Sequence, residues 1–178
     1  MGSPRLSIWA WAALGLGGLA IAGVGALLYL SAWDSYVSAN PRYIYEAVNP
    51  LPATDAIRIH AFQATVLLTI GYVMVVIALF TRLLRTNGGW MLVRALGALA
   101  PVVIYWMWLK RFFPIWASNL CGDCTPVETA QIPNPFALGS DVMAVAAVLG
   151  AISFVVFFAV AIVDFARIRR RPITVARS

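Results

Sequence analysis

Four long apolar segments, separated by more polar ones, dominate the hydrophobic pattern of this chain of 178 residues. Since a helix rises about 1.5 Å per residue, about 20 apolar residues cross a bilayer core of about 30 Å. Each segment has about this length, so the pattern predicts an all-α, polytopic integral membrane protein with four transmembrane helices in an up-down bundle. The predicted spans are residues 8–31, 59–80, 91–109 and 142–163.

The predicted spans and their connections make a single membrane domain, 1–178. Two connections, 32–58 and 110–141, are long and rich in proline, asparagine and aspartate, which favours irregular backbone with short helical pieces. The third, 81–90, is a short turn. We expect the first span to be retained as a helix, because its apolar run is longer than that of a signal peptide.

Composition and charge define the class and the orientation. Hydrophobic residues make up 62% of the chain and charged residues only 11%, against roughly 25% charged in ordinary soluble domains, which excludes a soluble domain. Of the 13 basic residues, nine lie in the two terminal segments and in 81–94, and four lie in the two long connections. This bias predicts a bacterial inner-membrane protein with both termini in the cytoplasm. The net charge of +6 is then a topology signal, and nucleic acid is not a predicted partner.

Aromatic residues cluster near the predicted membrane boundaries, where amphipathic rings prefer to lie. Tyr105, Trp106 and Trp108 form the densest group, at the outer end of the third span. We interpret them as an anchoring belt, and the alternative is contact with a lipid or quinone headgroup. The other members of the two belts are Trp9, Trp11 and Trp90 on the inner side and Tyr29, Trp33, Tyr36, Phe112, Phe113 and Trp116 on the outer side.

Cys121 and Cys124 are the two cysteines of the chain and lie in the second outer connection. An oxidising location predicts a disulfide. The spacing and the four-span topology resemble the thiol–quinone oxidoreductases of the DsbB class, and the resemblance implies thiol exchange with electron transfer to quinone. That class uses a second cysteine pair in the first outer loop, which is missing here. Asp123, between the two sulfurs, also disfavours a reactive thiolate. A structural disulfide is therefore the preferred interpretation.

His60 is the one histidine, and it lies at the outer end of the second span. A single histidine ligates a haem or a chlorophyll only together with a partner subunit. The alternative is an interfacial polar residue beside Arg58. A zinc site needs four ligands, so no metal site is predicted, and the cofactors stay unknown.

Polar side chains are few inside the spans. Thr65, Thr69 and Tyr72 follow Phe62 on one face of the second span, and we expect their hydroxyl groups to bond to the backbone or to neighbouring helices. Arg94 lies near the start of the third span, where its side chain is expected to snorkel to the interface. The middle of each span lacks ionisable residues, which argues against a proton pump or an ion-coupled transporter.

Small residues recur at helical spacing in the first and fourth spans. This spacing allows two helix backbones to approach closely, either within this bundle or against another subunit. The predicted packing residues are Gly18, Ala22, Ala26, Ala146 and Gly150.

Together these features favour a non-catalytic accessory or structural subunit of a larger, energy-transducing inner-membrane complex, for electron transfer in respiration or photosynthesis. Its expected partners are other integral membrane subunits and lipid. No nucleophile elbow, phosphate-binding loop or dinucleotide fingerprint occurs in the sequence. Two alternatives remain: a thiol–quinone oxidoreductase of the DsbB type, and a small lipid or quinone carrier with a cavity between the second and third helices.

Overall fold

The protein is described here by a computed structural model that covers residues 8–40, 53–81, 88–118 and 135–169. These residues form four helices, and none of them lies in a strand. Each helix is long and apolar enough to cross a membrane. The helices are α1 (Ile8–Ala39), α2 (Asp55–Phe80), α3 (Gly88–Ser118) and α4 (Ala137–Arg169).

The helices are longer than the predicted spans that they contain. They have 26 to 33 residues, which corresponds to about 39 to 50 Å and exceeds a bilayer core of about 30 Å. Parts of the predicted connections 32–58 and 110–141 are therefore helical. The difference arises because hydropathy shows where the chain passes from lipid to water, whereas a helix ends where its residues no longer adopt the helical backbone conformation. Thus α1 ends at Ala39, just before Pro41, since a proline disfavours helical backbone in the residue before it.

The ends of α2 are capped by two threonines. The hydroxyl group of Thr54 accepts a hydrogen bond from the Ile57 amide at 3.4 Å, which satisfies one of the free donors at a helix start. At the other end, the Thr81 amide donates to the Ile77 carbonyl at 2.9 Å. These caps define a helix of 26 residues whose polar ends enclose an apolar middle.

Backbone contact joins α1 and α2 into an antiparallel pair. Gly18 lies opposite Gly71, and Gly25 lies opposite Leu68. A Cβ atom on Gly71 would be 2.7 Å from the Gly18 carbonyl oxygen and would also collide with the backbone of Ala22. Gly18 and Ala22 are buried, as is Ala26 at the next small position. The small-residue face of α1 is therefore covered by α2 of the same chain.

A second antiparallel pair consists of α3 and α4. A Cβ atom on Gly150 would lie 2.5 Å from the Ala98 carbonyl oxygen, so the two backbones touch there. Further along, the Trp108 indole of α3 donates to the Ser140 hydroxyl of α4 at 3.3 Å. Ala146 is half-buried and packs against the core. The small residues of α4 therefore also face a helix of this chain.

The interface between the α1–α2 pair and the α3–α4 pair, here called the seam, is packed less closely than the interfaces within each pair. Contact is extensive within the pairs, and between them it is carried mainly by α2 and α4. One group of buried side chains in the seam comes from α2, α3 and α4, and its larger members are Val75, Leu79, Met91 and Phe157. Because these side chains are bulky, the backbones of the two pairs stay further apart than those within a pair, and the seam retains cavities.

The α1–α2 contact predicts opposite effects for two glycine substitutions. Gly71→Ala is expected to lower the free energy of unfolding by about 1–3 kcal/mol, since an overpacked site forces the backbones apart. Gly23→Ala is the matched control, because its Cβ atom would meet nothing within 4 Å and alanine favours a helix. Thermal unfolding of both variants in the same detergent measures the difference. Equal midpoints for Gly71→Ala and the wild type would contradict the close contact.

Candidate functional site

Five aromatic side chains pack together at the end of the bundle where α1 and α3 finish and α4 begins. The Trp108 ring stands edge-on to those of Trp33 and Tyr29, with centroids 5.0 and 5.1 Å away. The Tyr29 hydroxyl donates to the carbonyl of Phe136. Tyr29, Trp33 and Trp108 were expected at the membrane boundary, but all are buried. The cluster fastens three helix ends together, and its members are Tyr29, Trp33, Tyr36, Trp108 and Phe136.

The three aromatic residues predicted at the outer end of the third span, Tyr105, Trp106 and Trp108, differ in their exposure. Trp108 is 3% exposed and belongs to the core, whereas Trp106 is 54% exposed. The Lys110 ammonium lies 3.9 Å above the Trp106 ring, an arrangement that attracts a cation electrostatically. Tyr105 is half-buried against the core. Of the three, Trp106 has the exposure expected of an interfacial anchor or of a headgroup contact.

The predicted ligand residues are not gathered into a site. His60 lies exposed on α2. No three His, Cys, Asp or Glu side chains in the described ranges lie close enough together to hold a metal ion. Cys121 and Cys124 lie outside the described residues, so their disulfide stays a prediction.

The residues predicted to share one face of α2 have different environments in the structure. The hydroxyl groups of Thr65 and Thr69 each donate at 2.8 Å to the carbonyl group one turn earlier, those of Ala61 and Thr65. Phe62 points outward and is 64% exposed. Tyr72 is buried, and its hydroxyl oxygen has no hydrogen-bond partner among the residues that the structure describes. Tyr72 is therefore the one member of this face with an unused buried donor.

A cavity of about 180 Å³ lies beside Tyr72, where α2 meets α3 and α4. Its walls are apolar except for Tyr72 and Ser153, both of which are buried. Apolar lining residues include Val76, Leu79, Pro101, Leu149 and Ile152. The cavity thus has an apolar wall that includes Tyr72, whose buried hydroxyl group has no acceptor among the described residues.

Arg94 does not snorkel outward; it lies inside the bundle with only 6% of its surface exposed. Its Nη2 atom donates to the Thr81 carbonyl at 2.9 Å, and within the described ranges its Nε atom has no hydrogen-bond partner. It borders a second cavity, of about 260 Å³, formed by α1, α2 and α3. The other lining residues include Trp11, Leu16, Val75, Val93 and Gly97.

Arg94 and Ser153 line these cavities but were not among the site residues predicted from the sequence. A signal existed for Arg94, because it stands inside an apolar run between Val93 and Ala95 rather than at its edge. For Ser153 the sequence contains no signal, since a serine inside a membrane helix commonly bonds to its own backbone.

Comparison with protein-family models, with curated proteins and with solved structures gives no match for this chain.

The aromatic cluster predicts a specific cost for removing one oxygen atom. Tyr29→Phe removes the hydrogen bond to the Phe136 carbonyl and is expected to destabilise the fold by about 1–3 kcal/mol. Tyr105→Phe removes the same group from a half-buried position and is expected to cost less than half as much. Thermal unfolding in detergent compares the two variants. A Tyr29→Phe variant as stable as Tyr105→Phe would show that the bond does not stabilise the helix ends.

Proposed function

We propose that this protein is an accessory subunit of an energy-transducing complex in the bacterial inner membrane, and that it binds a quinone-type molecule in the cavity beside Tyr72. In this proposal the four helices form an up-down bundle with both termini in the cytoplasm. The observation that carries the binding role is Tyr72, which lines an apolar cavity and whose buried hydroxyl group has no acceptor among the described residues.

The chemistry of the cavity favours a ligand with a carbonyl oxygen. A buried hydroxyl group without a partner costs about 1–3 kcal/mol, and an incoming carbonyl group recovers that energy by accepting its hydrogen bond. The remaining walls are hydrocarbon, supplied by residues such as Val76, Leu149 and Ile152. A flat, largely apolar ring with a carbonyl group at its edge satisfies both requirements. At about 180 Å³ the cavity holds the ring of such a molecule and leaves any long tail outside.

The depth of Tyr72 favours a quinone over a phospholipid ester. Tyr72 lies eight residues before the end of α2 at Phe80, which is about 12 Å along the helix axis. The predicted span 59–80 has its centre only two or three residues away. Ester carbonyl groups lie at the edge of a hydrocarbon core about 30 Å thick, whereas a quinone ring is soluble within that core.

The accessory role is proposed from the sequence. The fold alters one part of it, the surface at which partner subunits are expected to bind. The predicted packing residues Gly18, Ala22, Ala26 and Gly150 are buried against helices of the same chain, so they are not available to another subunit. Neighbouring subunits would instead contact the larger exposed side chains, such as Leu27 and Val148. Lipid covers such side chains wherever a subunit does not.

Quinone retention tests the binding role. The protein purified from native membranes in mild detergent is expected to carry a quinone, detectable by extraction and by its ultraviolet redox difference spectrum. Tyr72→Phe is expected to lower the retained quinone roughly tenfold, the loss equivalent to about 1.4 kcal/mol. Tyr105→Phe, which removes a hydroxyl group away from the cavity, is expected to retain it. Absence of quinone from the wild-type protein, or equal retention by Tyr72→Phe, would refute the proposal.

Cysteine labelling tests the topology and the proposed outer disulfide together. In intact spheroplasts, a membrane-impermeant maleimide is expected to label Cys121 and Cys124 only after treatment with a reductant, because both thiols face outward and are oxidised. Labelling that requires permeabilised membranes would reverse the proposed sidedness. A reduction potential below about −300 mV is expected for a structural disulfide. A higher value would favour the thiol–quinone oxidoreductase instead.

A further inference from the structure

Arg94 carries a positive charge inside the bundle with little to balance it. Arg94 is 6% exposed, and within the described residues its guanidinium group makes one hydrogen bond, to the Thr81 carbonyl. Its Nε atom has no acceptor. Burying a cation is costly unless it is paired and hydrogen-bonded, and an ionisable residue within a membrane helix marks a candidate functional site.

No carboxylate supplies the missing counter-charge within the part of the chain that the structure describes. The ion pair found there joins Arg111 to Asp34 at 3.1 Å, and it links α1 and α3 near their C-terminal ends, at the other end of the bundle from Arg94. The described Asp164 on α4 makes no ion pair with Arg94. The charge of Arg94 is therefore open to an anion that is not part of these helices.

The space beside Arg94 selects for an amphiphile. The cavity of about 260 Å³ has an apolar wall, to which Arg94 contributes the hydrocarbon part of its side chain, with its guanidinium group beside the cavity. It is smaller than the roughly 300–1,000 Å³ typical of sites that enclose a whole ligand, so it suits one chain of a larger molecule. A free inorganic anion would leave the apolar walls without a partner.

The depth of Arg94 matches a headgroup. Its hydrogen bond is to Thr81, the residue that follows the last residue of α2. The guanidinium group therefore lies level with the end of α2 at Phe80, which is also the predicted end of the second span. The same end of the bundle contains Trp11 and Trp90, whose rings meet edge-to-face with centroids 5.7 Å apart. Tryptophan is enriched at membrane–water interfaces.

We propose that this cavity binds an anionic phospholipid, with its phosphate on the Arg94 guanidinium group and part of one acyl chain along the apolar wall. Basic pockets between membrane helices on the cytoplasmic side bind anionic headgroups, and a planar guanidinium group suits the bidentate recognition of phosphate. The inference is separate from the quinone cavity and shares with the proposed function two premises, that the helices span a bilayer and that this end of the bundle faces the cytoplasm.

A purely structural role for Arg94 is the competing explanation. Arginine side chains near a helix C-terminus bond to its last carbonyl groups, and Arg94 does so at Thr81. That role requires neither the cavity nor an anion. The two explanations differ in whether a lipid with a charged headgroup changes the stability of the protein, and in whether filling the cavity removes that change.

The test titrates delipidated protein with phosphatidylglycerol and, separately, with phosphatidylcholine that has the same acyl chains. Thermal unfolding gives the stabilisation by each lipid, and native mass spectrometry gives the lipid that is retained. We expect phosphatidylglycerol to bind at least tenfold more tightly. Arg94→Gln is expected to abolish this preference, and Arg94→Lys to keep part of it. Arg167→Gln is the matched control, since it removes an exposed charge from the last turn of α4 and is expected to keep the preference.

Gly97→Leu separates binding from folding, because it fills the cavity and leaves Arg94 in place. A Cβ atom on Gly97 would meet only the Leu79 side chain, at 3.8 Å, so the fold is expected to tolerate it. This variant should lose phosphatidylglycerol binding and retain quinone. Equal affinity for the two lipids, a preference that persists in Arg94→Gln or Gly97→Leu, or the same stabilisation by inorganic phosphate alone would each overturn the proposal.

Discussion

Direct backbone contact between α1 and α2 is the constraint on which the arrangement of the other elements depends. In a lipid environment there is no hydrophobic driving force between helices, so close van der Waals packing has to supply the association. Gly18, Ala22 and Gly71 provide it, since no side chain separates the two helices at these positions. Gly150 and Ala98 make the equivalent contact between α3 and α4. The bundle is thus composed of two tight pairs.

The seam between the pairs has a different character, and the candidate sites follow from it. Bulky side chains such as Val75, Leu79 and Phe157 keep the backbones apart, and they do not fill the resulting space completely. Both cavities lie along this seam, and each has a buried donor in its wall, Tyr72 in one and Arg94 in the other. The two donors differ in depth and in charge, so the same structural feature gives rise to sites for different ligands.

Long-range hydrogen bonds to backbone carbonyl groups hold the end of α2. The last four carbonyl groups of a helix have no partner within it. Trp11 donates to the Ala78 carbonyl at 2.7 Å and Arg94 to that of Thr81 at 2.9 Å, so α1 and α3 are both attached to this end. At the opposite end, the Tyr29 hydroxyl attaches α1 to the start of α4 in a similar way. Side chains expected at the membrane surface therefore tie helix ends together.

The number of helices, their approximate positions and their suitability for a membrane could be derived from the sequence, because each depends on local hydropathy and on the length of an apolar run. The small-residue faces could also be recognised, but whether they bind this chain or another subunit depends on which helices meet. The same limit applies to Trp106 and Trp108, two residues apart, of which one faces outward and the other is buried. Arg94 was expected to reach the interface by snorkelling, and only the positions of α1 and α2 around it enclose its guanidinium group. Local pattern determines which solvent a segment prefers, whereas the neighbours of each side chain, and with them the cavities and unpaired donors, are set by contacts between residues far apart in the chain.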